Sequence, residues 1–593
     1  MSGLCGEVRF DQEPVDVVAV QRMTQHMTPR GPDGSGMHAS DRWALGHRRR
    51  AVIDLSARGA QPMVDVQLGL AWVMDGCIYN HQDLRRELAG AGHTFFSESD
   101  AEVIGKAYHQ WGLDFVDKLR GTFAIALVET DTGRVVLARD RFGVKPLYLA
   151  EGPGRLRFAS SLQTLLAAGE VDTSLDRVAL HHYFSFHAVV PAPRTVFNGV
   201  RKLPPATVRR YERDGHVTQR RYWNPPYARD PERAAWSEQE WQEALLGSLR
   251  DAVRLQRVAD VPVGVLLSGG FDSSLIVALL AERGDAGLKT FSIGFDAESG
   301  ESGDEYVYSD LIAQTFATDH QRIHVATDRL EPAVLPAIRQ MSEPMVSHDC
   351  VAFYLLSEEV SRHVSVVQSG QGADEVLAGY GWYPPLLDVP LAQATAAYSK
   401  VFFDRDHERI NGLLEPPYRL GFDPSWAYAE AHLIADGAQT SVDAALRLDS
   451  QTMLVEDPVK RVDNMTMAWG LEARVPFLDH EFVELAATCP PELKIGGGGK
   501  GVLKDATRGL LPDAVLDRTK GHFPVPGIRH LSGGLLDLVH DALDSQVARY
   551  RGLYRREALE ELYADPNAHR TPMDANTLWQ VATLELWLQE MGR

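Results

Sequence analysis

Seven consecutive residues, Ser268-Gly269-Gly270-Phe271-Asp272-Ser273-Ser274, combine hydroxyls, paired glycines and a carboxylate. Glycines let the backbone come close to a ligand, and the N–H groups that open a helix point at an anion. The Ser268, Ser273 and Ser274 hydroxyls add donors. Asp272 would repel phosphate, so it makes sense there if Mg²⁺ lies between them. The apolar run Val263 to Leu267 before the loop reads as a buried parallel strand, and Leu275 to Glu282 after it as a helix. A bare Ser-Gly-Gly would be a capped turn. In this strand–turn–helix setting the phosphate reading is favoured. The stretch is not a Walker A loop, which needs Gly-Lys-Ser/Thr.

Further elements follow in alternation: strand Leu288 to Phe295, helix Tyr308 to Ala317, strand Arg322 to Val325, helices Leu330 to Met341 and Val351 to His363, and strand Val364 to Gln368. This pattern predicts a doubly wound parallel sheet, with ligands bound beyond the strands' C-terminal ends. A second loop, Ser369-Gly370-Gln371-Gly372-Ala373-Asp374-Glu375, falls at the same end.

The first loop resembles the pyrophosphate loop of the ATP pyrophosphatase family. The second resembles its counterpart in asparagine synthetases and β-lactam synthetases. The resemblance continues through Asp463 to Asp479, Lys504 and Arg518-Thr519-Lys520-Gly521. It implies that Leu266, Ser268, Gly269, Gly270, Asp272, Ser273 and Ser274 contact ATP. It places Ile293 at the adenine, with Ser369 and Gly370 at the ribose and α-phosphate. By the same resemblance Asp272 and Asp374 share Mg²⁺, and Lys520 faces the phosphates, where a cation would stabilise the leaving pyrophosphate. Asparagine synthetases carry Glu where this chain has Gln371, and Gln cannot act as a base. Gly496 to Lys500 lacks the strand and Ser/Thr of a phosphate loop and reads as a flexible turn.

The first two hundred residues show an α+β pattern with antiparallel strands. Met74 to Tyr79, Thr122 to Glu129 and Val135 to Arg139 read as strands, and Leu84 to Ala91 and Ala101 to Gly112 as helices. Arg30 to Gly34, Leu45 to Arg49, Asp75 to His81, Ser99 to Val103 and Ala138 to Tyr148 together resemble the glutaminase domain of class II glutamine amidotransferases, an Ntn-hydrolase-type αββα sandwich. In such domains an N-terminal cysteine, exposed by loss of the initiator Met, attacks the glutamine amide with its own amine as base. The resemblance assigns Arg49 and Asp100 to the glutamine, and Gly76 to the oxyanion through its N–H.

Two positions depart from that pattern. Ser2 stands where the family has cysteine, and Asp75 where it has an asparagine oxyanion donor. Serine is almost wholly un-ionised at neutral pH, and an ionised Asp75 would repel the oxyanion. Cys5 has no α-amino group of its own to use. Either the serine was introduced to silence the glutaminase, or the activity has been lost naturally. Ser2 acting as the nucleophile is the third reading.

At 593 residues the chain should hold more than one domain. The expected division is a glutaminase domain at 1–210, a linker at 211–235 and a synthetase domain at 236–593. A hydrophobic content of 44% and charged content of 24% are those of a soluble globular protein. A formal net charge of −21 argues against broad nucleic-acid binding. No apolar run of membrane-spanning length and no signal peptide is evident, and the four scattered cysteines suit a reduced cytoplasm. A homodimer is left open. His181-His182-Tyr183-Phe184-Ser185-Phe186-His187 has no metal-site spacing and reads as a packed helix.

The expectation is therefore an ATP-dependent amide ligase using glutamine or ammonia. Met345 to Asp349, Val367 to Glu375 and Trp382 to Pro385 resemble N-acetylglutaminylglutamine amidotransferases, which make the terminal amide of a bacterial osmolyte. Asparagine synthetase, a β-lactam synthetase-like cyclase and a non-catalytic homologue are the alternatives.

Overall fold

The structure, a computed structural model, describes residues 2–593 except 226, 283, 285–286, 297–302, 348, 520 and 522–528. The amino-terminal half is built on two antiparallel six-stranded sheets. The strands are β1 (Ser2–Arg9), β2 (Gly34–Ala39), β3 (Trp43–Arg49), β4 (Met63–Asp65), β5 (Leu70–Ile78), β6 (Gly121–Glu129), β7 (Val135–Arg139), β8 (Tyr148–Gly152), β9 (Arg155–Ala159), β10 (Arg201–Lys202), β11 (Thr207–Tyr211) and β12 (Val217–Arg221). One sheet runs β10-β8-β9-β1-β3-β2 and the other β12-β11-β7-β6-β5-β4.

Alternating apolar residues explain the layers. Leu4, Val8 and Leu45 of one sheet meet Ala71, Val73, Ala126 and Leu137 of the other in a shared core. The opposite face of the second sheet packs Trp72, Met74 and Ile125 against Val103, Ile104 and Ala107 of the helix Asp100–Trp111. On the outer face of the first sheet, Cys5, Ala44 and Ala159 lie under Val20 and Met23 of the helix Val17–His26. The order is helix, sheet, sheet, helix.

The second half holds a parallel sheet ordered β15-β14-β13-β16-β17. Its strands are β13 (Val263–Leu266), β14 (Lys289–Phe295), β15 (Asp319–Val325), β16 (Val366–Gln368) and β17 (Glu472–Arg474). Helices cover both faces. Val265 points into a core with the helices Glu238–Leu255 and Phe271–Ala281, while Leu266, Phe291 and Ile293 point into one with Leu330–Gln340 and Asp349–Val360. A strand buried on both faces must be apolar throughout, as β13 is.

The two halves share one apolar core. Cys5, Val20, Leu162 and Tyr183 lie in the same cluster as Phe291, Met341, Met465 and Trp587. Buried charges also cross between them. Lys202 Nζ is 2.7 Å from both Glu343 Oε2 and Glu456 Oε2, and Lys460 Nζ is 3.3 and 3.1 Å from the same oxygens. Buried carboxylates are stable only when paired in this way.

Candidate active site

β1 enters the first sheet with Ser2 opposite Arg49 of β3. A cavity of about 20 Å³ there is lined by Ser2, Arg49, Gly76 and Asp100, so four of the residues singled out in this half meet at one place. Gly76 has φ +139°, and a Cβ on it would lie 2.0 Å from the Thr122 carbonyl, so only glycine fits. Asp100 accepts from the Ile78 N–H at 2.9 Å. Arg49 donates from Nη1 to the Ser56 carbonyl at 2.7 Å and from Nη2 to the Asp54 carbonyl.

Asp75 is not among the lining residues. Its carboxylate is fully buried and accepts from Arg30 Nη2 at 3.0 Å, from Ser160 Oγ at 2.9 Å and from the Ser2 N–H at 3.1 Å. Its charge is balanced by the Arg30 guanidinium. Cys5 is wholly buried beside Thr24, and burial pushes its thiol up to about 12, so it supplies no thiolate.

In the second half the turn after β13 opens the helix Phe271–Ala281, with Gly270 as its N-cap. Gly269 has φ +77°, and a Cβ there would lie 2.7 Å from the Ser309 N. Ser273 Oγ is 3.1 Å from Ser268 Oγ and accepts from the Ser268 N–H at 3.2 Å, which fixes the turn. The loop after β16 packs directly on it: a Cβ on Gly370 would lie 2.7 Å from Asp272 Cβ. A cavity of about 180 Å³ lies between the loops. Leu266, Ser268, Asp272, Ser273, Ile293, Ser369, Gly370, Gln371 and Asp374 all line it. Gly269, Gly270 and Ser274 shape the turn without lining the cavity. Ser274 is fully buried in the helix's first turn.

One residue at this site was read as part of a flexible turn. Lys500 Nζ lies 2.6 Å from Asp272 Oδ2 and 2.8 Å from Asp374 Oδ1. Burial favours the neutral amine, but the two carboxylates outweigh it and hold the ammonium well above the ordinary lysine range. The preceding glycine has a purpose. A Cβ on Gly499 would lie 2.7 Å from the Ala378 carbonyl, and one on Gly379 would lie 2.0 Å from Asp374 Oδ1. Gly499 and Gly379 thus permit the close approach that brings Lys500 to the acids. Lys520 lies outside the described residues. Arg518, two positions earlier, donates from Nη1 to the Gly269 carbonyl at 3.0 Å and lies over the Tyr308 ring.

Asp272 and Asp374 present oxygen donors to a single cation, the donor chemistry that suits Mg²⁺. A second group of potential donors, His181, His407 and Asp423, has ligand atoms within 4.8 Å of one another. There Asn411 Nδ2 is 2.9 Å from His407 Nε2, and His407 Nδ1 is 3.0 Å from His181 Nε2. His181 Nδ1 and His182 Nδ1 meet Ser425 Oγ at 2.8 and 3.0 Å, and burial lowers these histidines to about 4 and about 3. Neutral His181 and His182, hydrogen-bonded to Ser425 within the buried helix Arg177–Ser185, need no metal, and His187 lies beyond that helix, 3.1 Å from Asp404 Oδ2.

The asparagine synthase family matches residues 244–589, and the glutamine amidotransferase domain matches residues 1–223. The chain belongs to the asparagine synthase family. Among its relatives is asparagine synthetase [glutamine-hydrolyzing] 3 of Bacillus subtilis, 32% identical over 88% of this chain and 87% of that protein. A putative asparagine synthetase [glutamine-hydrolyzing] of Mycobacterium tuberculosis is 32% identical over 98% of this chain and 97% of its own length. Amidase chyE of Penicillium rubens is 27% identical over 84% of this chain and 83% of its own length. Membership of the asparagine synthase family makes the chain an ATP-dependent, AMP-forming amide ligase with a glutamine amidotransferase domain. Among the described residues no helix is long and apolar enough to cross a membrane.

Proposed function

We propose that this ligase adenylates the carboxylate of N-acetylglutaminylglutamine and amidates it with ammonia, its glutaminase half being nearly silent. In the first step a carboxylate oxygen attacks the α-phosphorus of ATP, and pyrophosphate leaves. In the second, NH₃ attacks the acyl-adenylate carbonyl, AMP leaves, and one proton is released. The observation that carries the reading is the meeting of two glycine loops, with the Asp272 and Asp374 carboxylates turned to one cation at the cavity's edge. Those two residues would hold Mg²⁺, which neutralises polyphosphate charge when bound. Ser268, Ser273 and the open N–H groups of the helix Phe271–Ala281 would take phosphate oxygens. Lys500, kept charged by its neighbours, would add a cation to the leaving group's side, with Lys520 in the role the sequence resemblance gives it.

Gln371 lines the cavity and supports an acceptor other than aspartate, because no carboxylate base stands at that position. The silence of the first half rests on Ser2 as a weak nucleophile and on Asp75, whose oxygens are committed to Arg30, Ser160 and the Ser2 N–H. Asparagine synthesis is the second reading, favoured by the names of the relatives. The deciding experiment is pyrophosphate release with ATP, Mg²⁺ and ammonium, comparing N-acetylglutaminylglutamine with aspartate. Release with aspartate alone restores asparagine synthesis.

A further inference from the structure

Arg461 and Asp349 belong to two cavities at once. They line the one beneath the glycine loops and also a larger neighbour of about 720 Å³. Arg461 is buried at that neck. Its Nη1 donates to Ser347 Oγ at 2.7 Å and lies 3.5 Å from Asp457 Oδ1 and 3.7 Å from Asp349 Oδ2. Its Nε is buried and donates to nothing among the described residues. A buried guanidinium N–H with no acceptor is costly, and an incoming carboxylate would satisfy it.

The larger chamber carries a fixed aromatic plate. The rings of Tyr380 and Trp382 stack with centroids 4.0 Å apart and planes 12° apart. Tyr380 OH donates to Glu375 Oε1 at 2.7 Å, and Trp382 Nε1 to Asp449 Oδ2 at 3.1 Å, so neither ring swings away. Met453 and Met573 add adaptable apolar wall, while Lys400 and Asp457 add charge. A chamber of this volume matches pockets that enclose drug-sized ligands, roughly 300–1,000 Å³. An acid the size of aspartate would fill only the neck. A simple fatty acid would strip water from the charged groups without replacing its hydrogen bonds. A linear acid bearing amide groups would stack on the plate and still pair with the polar wall.

We infer that this chamber, not the cavity beneath the glycine loops, selects the acceptor: its carboxylate is held at Arg461 and its amide-bearing body lies along Tyr380 and Trp382. The inference rests on the ligase reading above and assigns the specificity of that site to named residues.

The test is pyrophosphate release by the full chain with ATP, Mg²⁺ and ammonium. The probes are N-acetylglutaminylglutamine, L-aspartate and hexanoate. The expected result is a kcat/KM for the acetylated dipeptide at least tenfold above both others. Met573→Trp, which narrows the chamber, should cut that preference at least fivefold. Lys400→Trp, at an exposed position, narrows the same chamber if the first variant does not fold. Aspartate equal to or better than the dipeptide would overturn the chamber's role and leave the ligase reading intact. Hexanoate as the best acid would overturn the amide class. An unchanged preference in the folded narrowing variants would overturn the assignment to these walls. No pyrophosphate from any probe would overturn this inference and the proposed ligase reaction together.

Discussion

The Arg30 guanidinium and the Asp463 carboxylate pair across the boundary between the two halves, Nη1 to Oδ2 at 3.0 Å. The same guanidinium holds Asp75, 3.0 Å away in the glutaminase half, and Lys145 Nζ reaches Asp463 Oδ1 at 2.7 Å. All four are buried. Asp75 is thereby tied to a buried ionic network that spans the two halves.

Removing Asp463 should test that network. Burial alone would raise its carboxyl, but Arg30 and Lys145 outweigh burial and hold it down to about 2. A carboxylate depressed in the folded state contributes stability above its unfolded value, which is lost as pH falls through the folded value. Asp463→Asn should cost about 3–5 kcal/mol at neutral pH, because it leaves buried cations unpaired. The gap between the parent and variant Tm should be steady above about pH 5 and shrink below about pH 4. A gap independent of pH down to the acid transition would show that the pairing carries no weight.

Lys500 and its two acids should behave as one unit. Asp272→Asn and Lys500→Met should each lower pyrophosphate release by about 100-fold or more, the scale of one preorganised electrostatic contact. Gly379→Ala should do the same at little cost in Tm, because its Cβ would lie 2.0 Å from Asp374 Oδ1 and 2.4 Å from Lys500 Cε. Near-parental turnover in Asp272→Asn would remove this cavity from the reaction.

Glutamate release from glutamine should be barely measurable in the chain as it stands. Ser2→Cys alone should recover part of it. Adding Asp75→Asn should change that rate by less than about tenfold, because residue 75 faces Arg30 and Ser160 instead of the cavity; a further gain of about 100-fold, the usual worth of an oxyanion donor, would place its side chain at the oxyanion. The double variant should also lose stability through the Arg30 contact, read as a lower Tm. Fast hydrolysis by the unaltered chain would make Ser2 the working nucleophile.

Amide formation should run on ammonium salts and not on glutamine. The reactive species is NH₃, so the rate should rise roughly tenfold per pH unit while ammonium predominates and the fold persists. A rate independent of pH, or an equal rate with glutamine, would count against ammonia arriving from solution.

Much of this was legible in the chain. The strand before Ser268 and the stretch Leu275 to Leu280 of the helix after it are apolar on every face, and all of these residues but Val263 are buried as that composition demands. Ser2, Arg49, Gly76 and Asp100, which the glutaminase resemblance groups from separate stretches of sequence, meet at one cavity. Lys500 was not legible, because its partners lie 228 and 126 residues away in sequence and only the parallel sheet brings the three loops together. Four glycines before a lysine look like slack, and the need for the last of them, Gly499, appears only against the backbone at Ala378 and Gly379. Asp75 misled for a related reason. Its charge implied repulsion in the site, whereas Arg30 turns that charge to packing. Arg461 sits within a helical stretch where a charged residue ordinarily faces water, and nothing local marks it as the neck of two cavities.

The apolar cluster that joins Cys5 and Tyr183 to Met465 and Trp587 has an evolutionary consequence. A domain that stops working is usually disposable, and deletion follows disuse. Here the amino-terminal half is wall and floor for the synthetase half, so truncation would expose Met341, Met465 and Trp587 to water. Selection on the ligase alone is enough to keep both antiparallel sheets in place. Tolerated substitutions on the shared face are then those that leave shape untouched. Ser2 and Asp75 are near-isosteric with the cysteine and asparagine that the glutaminase resemblance implies.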